Sequence, residues 1–506
     1  MTATEPRLEP QASGEPLDRR AIVTAATLVL GGLLVVLDTT VMNVAIGPLS
    51  QSMDTSLPTI QWIITGYTLA MATVMPVIAW AIGRLGGRRV YLVALLVFVA
   101  GSALAGLAWN VESLIAFRVV QGLGGGLVMP TVMTIALRAV PPAQRGRMMA
   151  ILGVPVLIGP VLGPVLGGWL LDSLSWRWIF FVNLPLGLLA LVVATRVLPG
   201  EAPNPTRRLD IVGLLLLSPG LAALVYGLAA AGETGELLDA SVTVPALGGA
   251  GLVGGFLVRA RRLAGPLVDV SLLRVRAMAA GTAVLALFAA AYFGSMFLAP
   301  LYYQVVRGES ATTSGLLLVP QALATGISMQ VAGRLIDRIP AVRVVAAGIA
   351  LATIGFGTFA IQLAADSSYI GLVLSLSVAG AGVGATLMPT LTTATRDLEH
   401  DDVPSGTTLL NITNQVAVSF GVAATSVVLA GRLGDRLPGV ADTGVGGLYD
   451  LGPDALAAVA PAFAASIQST FLLPVALTCT ALAVAVAFLP GRRRRQARRS
   501  LPARTD

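Results

Sequence analysis

Asp38 is the one carboxylate of this chain that falls deep inside a long apolar run, Ala21 to Gly47. An ionised aspartate at the centre of a bilayer costs about 2.5–3.5 kcal/mol on insertion scales. A carboxyl in such a place either keeps a permanent partner or takes up and releases a proton. Arg118 is the one arginine inside an apolar run. A guanidinium stays protonated, so its part is to hold a carboxylate and to organise hydrogen bonds. At 1.5 Å per residue, Asp38 lies roughly 12–14 Å below the outer end of its run and Arg118 about 8 Å below the start of its own. The depths allow the two to pair. Two readings follow: a reversible proton carrier tuned by an arginine, or a fixed structural ion pair.

The rest of the composition limits the alternatives. The chain has 506 residues, 55% hydrophobic and 12% charged, with mean hydropathy +0.83. Soluble domains carry about 25% charged residues, so this much apolar surface calls for a bilayer. Cys479 is the only cysteine and His400 the only histidine, which excludes an intramolecular disulfide and leaves almost nothing for zinc or triad chemistry. All 33 basic residues are arginine; without lysine there is no phosphate-loop lysine and no Schiff base. No cofactor and no metal site is expected. The Gly122, Gly124, Gly125, Gly126 run follows no strand and so is not a dinucleotide motif. The acidic stretch 397–402 is the one place an embedded enzyme could use, and it reads as a solvated loop.

Fourteen runs are long enough to span a bilayer, near 22–47, 60–82, 90–109, 113–137, 149–171, 178–198, 210–231, 242–260, 278–303, 313–333, 342–363, 369–394, 406–430 and 467–489. The sequence therefore predicts an all-α membrane protein with 14 transmembrane helices. With the N-terminus inside and sides alternating, 28 of the 33 arginines fall in inner segments. That asymmetry is the positive-inside pattern and puts both termini in the cytoplasm. The arginines at 492–499 then read as a topogenic, lipid-facing anchor, not a nucleic-acid site. Residues 1–20 lack the basic-then-apolar order of a signal peptide.

An internal repeat organises the spans. Met129-Pro130-Thr131 follows a glycine ladder in span four, and Met388-Pro389-Thr390 follows another in span twelve. Gly83-Arg84-Leu85 after span two has its counterpart in Gly333-Arg334-Leu335 after span ten. The expected plan is a tail at 1–21, a six-helix bundle at 22–200, two inserted linker helices at 201–262, a second six-helix bundle at 278–489 and a basic tail at 490–506. Two such halves with a site between them are a transporter plan. Arg118 maps onto Ser377 in the second copy, so packing alone does not demand arginine there.

Four stretches carry a family resemblance: Leu37-Asp38-Thr39-Thr40-Val41-Met42-Asn43 in span one; Arg118-Val-Val-Gln121-Gly122 in span four; Gly153-x5-Gly159-Pro160-x2-Gly163-Pro164-x2-Gly167-Gly168 in span five; and Trp176-Arg177-Trp178-Ile179-Phe180-Phe181-Val182-Asn183 at the mouth of span six. With them the chain resembles the major facilitator superfamily, and within it the fourteen-span drug:proton antiporters of the EmrB/QacA type. The resemblance implies the major facilitator fold, no enzymatic activity, and exchange of protons for a small amphipathic or cationic drug by a monomer in the inner membrane of a bacterial cell. It implies proton coupling at Asp38 and Arg118. It makes the Gly-Pro run the antiporter motif, whose glycines, four residues apart, form a smooth face for close helix approach. It also implies a cytoplasmic latch at Gly83, Arg84, Arg88, Asp337 and Arg338. One departure stands out: the family motif carries Asp where this chain has Gly83, so the latch is expected to be weaker or redistributed.

Pocket candidates are Asn43, Tyr67, Gln121, Tyr292, Tyr302, Asn411, Asn414 and Gln415. Aromatic walls suit cationic or bulky apolar drugs, and polar groups in a span should face protein or water. A dedicated exporter of an endogenous metabolite or lipid fits the same residues. A proton-coupled importer fits less well, because importers of the superfamily usually lack the Gly-Pro motif.

Overall fold

The computed structural model describes residues 17–53, 57–141, 144–201, 208–234, 238–263, 265–309, 311–336, 338–363, 367–399, 401–436 and 453–489. Both tails beyond these bounds, Asp337 and His400 lie outside the described residues. All regular structure among the described residues is helical. Thirteen of the helices qualify as spans by length and hydropathy. A fourteenth, Val154–Ser173, has 20 residues and a single acid, Asp172, near its end.

In chain order the spanning helices are α1 (Arg19–Ser52), α2 (Leu57–Val74), α3 (Gly87–Gly106), α4 (Val111–Ala139), α5 (Val154–Ser173), α6 (Asn183–Val197), α7 (Ile211–Thr234) and α8 (Ala240–Ala260). They continue as α9 (Arg276–Ser295), α10 (Ala311–Leu335), α11 (Ala341–Ile361), α12 (Tyr369–Ala394), α13 (Val403–Arg436) and α14 (Leu472–Phe488). Local chemistry sets several boundaries. Asn110 caps α4, its Oδ1 accepting from the Ser113 backbone N–H at 2.9 Å while Ser113 Oγ accepts from the Asn110 N–H. Pro76 converts the end of α2 into a 3-10 turn, Met75–Val77, before the helix resumes as Ile78–Leu85. Gly86 adopts φ +86°, which lets the chain reverse into α3 with Glu201 packed against it.

The two halves repeat one packing scheme. In the first, α1 packs on α5 and α6, α2 on α4, and α3 on α4 and α6. In the second, α9 packs on α13 and α14, α10 on α12, and α11 on α12 and α14. Each pair is matched by one eight helices later. α7 and α8 pack on each other, and α7 also lies against α2 and α13, so the inserted pair sits along one seam between the halves.

The halves meet at the face that carries the arginine-rich loops. There one apolar cluster draws on both, with Leu137, Met148 and Met149 beside Met278, Leu398 and Val403. Toward the opposite end the first half keeps a cluster of its own, Val41 to Phe180, and a further cluster, Ala280 to Leu489, runs through the second half alone. Hydrogen bonds between described residues cross the end where the halves meet. Thr134 and Thr407 share one at 2.7 Å, Gln330 donates to the Ala150 carbonyl at 2.7 Å, and the buried Arg145 donates to the Thr395 carbonyl at 2.9 Å. Several of the residues expected to latch this face have described surroundings. Arg88 donates to the Thr195 carbonyl of its own half, and Arg84 lies over Trp80, 6.0 Å from the ring centre. Gly83 falls inside Ile78–Leu85, and Arg338 is exposed. A carboxylate does stand beside this turn: Glu201 accepts from the Gly87 N–H at 3.3 Å and pairs with Arg138 at 3.6 Å.

Candidate functional site

Asp38 sits midway along α1 with its carboxylate sealed from solvent. Three donors from two other helices reach it. Arg118 Nη1 of α4 donates to Oδ2 at 2.7 Å; Gln121 Nε2, one helical turn on, donates to Oδ1 at 2.7 Å; Asn183 Nδ2, at the start of α6, donates to Oδ1 at 2.9 Å. Around this core, Arg118 Nη1 also donates to Gln121 Oε1 at 2.7 Å, and its Nε reaches the Ile63 carbonyl at 3.4 Å. Asn183 contacts Ser102 Oγ of α3 at 3.1 Å, and Ser102 donates to the Phe180 carbonyl at 2.9 Å. Each of the three side chains offers an N–H to one of the two Asp38 oxygens.

Position on the helices explains the cluster. Arg118 and Gln121 are three apart and so share a face of α4. The glycines after them let neighbours close in. A Cβ on Gly122 would lie 2.5 Å from the Tyr67 carbonyl oxygen, and one on Gly125 would lie 2.6 Å from the Tyr67 hydroxyl. The glycine ladder is thus the seat of Tyr67, whose ring faces the Arg118 guanidinium with 4.1 Å from Cζ to the ring centre. Tyr67 is buried, and its hydroxyl has no hydrogen-bond partner among the described residues. Removing the hydroxyl should therefore cost little, while removing the ring should cost about 2 kcal/mol, the scale of a desolvated cation–π contact. The expected result is a near-native thermal midpoint in detergent for Tyr67→Phe and a clearly lower one for Tyr67→Leu; equal loss in both would show that the ring does not support Arg118.

A cavity of about 210 Å³ lies on the other side of Tyr67 and Arg118, lined by Thr39, Thr40, Met42, Ile64, Tyr67, Thr68 and Arg118. Asp38 is not part of its wall; Arg118 stands between. The hydroxyls of Thr39 and Thr68 are turned onto their own helices, to Val36 and Ile64 carbonyls at 2.9 Å each, which leaves their methyl groups to line the space.

The Gly-Pro run meets α1 at Asp38. Gly159 faces Val36, Gly163 faces Thr40 and Gly167 faces Val41, the residues flanking Asp38 on its own helix. Thr40 Oγ1 donates to the Gly159 carbonyl at 3.1 Å. Pro160 and Pro164 lie within the continuous helix α5. Gly153, just before α5, faces Met329 of α10 in the other half, and a Cβ on Gly168 would meet nothing within 4 Å. The glycine face therefore seats α1 within one half; of the motif glycines Gly153 faces the other half, where α5 also packs on α10.

The other residues expected at a pocket divide. Gln121 is buried within the Asp38 cluster, not on the cavity wall. Tyr302 is buried in the core of the second half, edge-on to Phe359. Tyr292 is half-buried against Phe293. Asn411 donates to the Thr407 carbonyl at 2.8 Å and approaches Met133 of α4 at 3.5 Å, and Asn414 and Gln415 are half-buried on the same helix. Asn43 belongs to α1, with its side chain outside the described set. Asn183, Ser102 and Arg145 were not singled out from sequence. The only signal for Asn183 was a polar residue closing an aromatic stretch, and Arg145 was hidden among topogenic arginines. Among the buried residues described, the charged ones are Asp38, Arg118 and Arg145, all in the first half. No group of three or more metal-ligating side chains occurs among the described residues.

The model of the Major Facilitator Superfamily matches residues 28–422. The chain belongs to that superfamily. It is therefore a multi-pass membrane transporter and not an enzyme. The Multidrug resistance protein B homolog of Mycobacterium tuberculosis is 38% identical to it over 84% of this chain and 79% of the relative. Multidrug export protein EmrB of Haemophilus influenzae is 30% identical over 81% of each. The solved proton:xylose symporter XylE is 13% identical and superposes with TM-score 0.63 over 93% of this chain and 96% of its own. That likeness is one of major facilitator fold alone.

Proposed function

We propose that this transporter is a proton-coupled multidrug exporter that works by alternating access as a monomer, with both termini cytoplasmic in the inner membrane of a bacterium. The observation that carries the reading is the position of Asp38. It is the only acidic residue among the buried residues described, and its partner Arg118 lines a cavity shared with threonine, tyrosine and methionine side chains. The names of its relatives support drugs as the substrate class.

In this reading the arginine-rich face is cytoplasmic and is the closed side. A proton reaching the cluster from the opposite side neutralises Asp38 and releases Arg118, Gln121 and Asn183. α1 then resettles on the glycine face of α5, and that half re-docks against the other. An amphipathic or cationic drug in the cavity neighbours the Tyr67 ring and the Arg118 guanidinium, so its arrival and the carboxylate's charge bear on the same side chains. One charge moving through 100 mV gains about 2.3 kcal/mol, enough to sustain roughly a fifty-fold drug gradient at 1.4 kcal/mol per decade.

The test is transport in proteoliposomes under an imposed pH gradient, with a panel of cationic and neutral drugs. Drug accumulation that discharges the gradient is the expected result. Intact protein that moves no drug and leaks no protons would overturn the drug assignment in favour of a dedicated exporter of a metabolite.

A further inference from the structure

The outer face of α8 ends in a cationic cleft that no step of transport uses. Gly248, Gly251 and Gly255 recur at three and four residues and so fall on one side of the helix. A Cβ on Gly248 or Gly251 would meet nothing within 4 Å, and on Gly255 only Leu216 at 3.8 Å, so this side is an open groove. The same side runs on, three to four residues per step, to Val258, Arg259 and Arg262. There a cleft of about 320 Å³ is lined by Gly255, Val258, Arg259, Arg262 and Leu263. Asp210, at the start of α7, holds one edge of the Arg259 guanidinium at 3.0 Å from Nη2 and 3.3 Å from Nε, and so fixes it in place. Arg261 and Arg262 are exposed beyond the helix end and leave the cleft net positive.

We infer that this groove and cleft bind an anionic phospholipid, its phosphate between Arg259 and Arg262 and an acyl chain along the three glycines. The chemistry matches the two ends: an open apolar glycine face, then cations at the level where a spanning helix leaves the hydrocarbon. A glycine stripe in a membrane helix can also seat a second helix. Here charge decides against it. Two copies related by an axis along the membrane normal would bring Arg262 beside its own counterpart at the same depth, with like charges opposed.

The experiment is native mass spectrometry of protein extracted from vesicles of equal phosphatidylglycerol and phosphatidylcholine, with wild type beside Arg262→Gln and Gly251→Leu. Both variants change exposed positions, so folding is expected to survive. Wild type should retain phosphatidylglycerol in preference to phosphatidylcholine. Arg262→Gln should cut that retention by about fivefold, the effect of ~1 kcal/mol per arginine near a membrane surface. Gly251→Leu should lower it by filling the groove. Equal retention of the two lipids by wild type, or phosphatidylglycerol retention unchanged in both variants, would overturn the proposal. So would a wild-type dimer that Gly251→Leu dissolves, which assigns the groove to a second copy. Complete displacement of the lipid by inorganic phosphate, with Gly251→Leu silent, would reduce the site to a free-anion cleft and also overturn it.

Discussion

Asp38→Asn abolishes drug movement driven by a pH gradient while drug-for-drug exchange across the same vesicles continues. That is the expected result if the carboxylate is the proton carrier. Asparagine keeps the size and one acceptor, so the Arg118 or Gln121 contact can be kept. It cannot change charge, and its amide meets other donors where the second carboxylate oxygen had accepted from Gln121 and Asn183. Leaving Arg118 without its counter-ion in a sealed site is costly, on the order of 3–5 kcal/mol for one partner of a buried pair. Lower thermal stability is therefore expected alongside the loss of coupling. The exchange measurement separates the two effects. A variant that merely misfolds loses both activities, and one that keeps gradient-driven transport shows that Asp38 is a structural ion. Loss of coupling with exchange intact is the signature that a fixed ion pair would not produce.

The second large effect is expected from α5. Gly163→Val places a side chain against Thr40, two residues from Asp38. Even the added Cβ collides with the Thr40 hydroxyl and comes within 3.1 Å of its backbone carbonyl carbon. Backbone cannot yield as a flexible side chain does, so α1 must move away from α5. Overpacking of this kind costs about 1–3 kcal/mol. The displacement falls on the segment whose carboxylate depends on contacts of 2.7–2.9 Å with Arg118, Gln121 and Asn183. Gradient-driven transport should fall at least as far as for a comparable loss of stability elsewhere, and its pH dependence should shift. Gly168→Ala is the control. A Cβ there meets nothing within 4 Å, so its transport and melting should match wild type, although Gly168 belongs to the same motif. If Gly163→Val transports normally with an unchanged pH profile, the glycine face has no part in positioning Asp38.

The helical fold, its fourteen spans and the twofold repeat were legible before any coordinates. Each depends on one-dimensional quantities: the length of an apolar run, the side on which arginines fall, and the return of Met-Pro-Thr after a glycine ladder. The singularity of Asp38 was legible for the same reason, since a lone carboxylate in 27 apolar-rich residues must find a partner or a proton. The relative depths of Asp38 and Arg118 could be counted along two straight helices, and the structure brings the two together at 2.7 Å.

Other features depended on which helix faces which. The four-residue spacing of Gly159, Gly163 and Gly167 announced a smooth face without naming what it touches, and only the bundle sets it against α1 beside Asp38. Gln121 and Tyr302 looked alike as polar or aromatic side chains in spans. Packing turns one inward to a carboxylate and the other into an aromatic core. Asn183 reaches Asp38 from 145 residues further along the chain, and its amide also meets Ser102 of α3. Arg145 closes the two halves by donating to a carbonyl 250 residues on. A side chain's type and depth follow from local sequence; its partner is a property of the helix–helix interface, which forms only when the whole bundle closes.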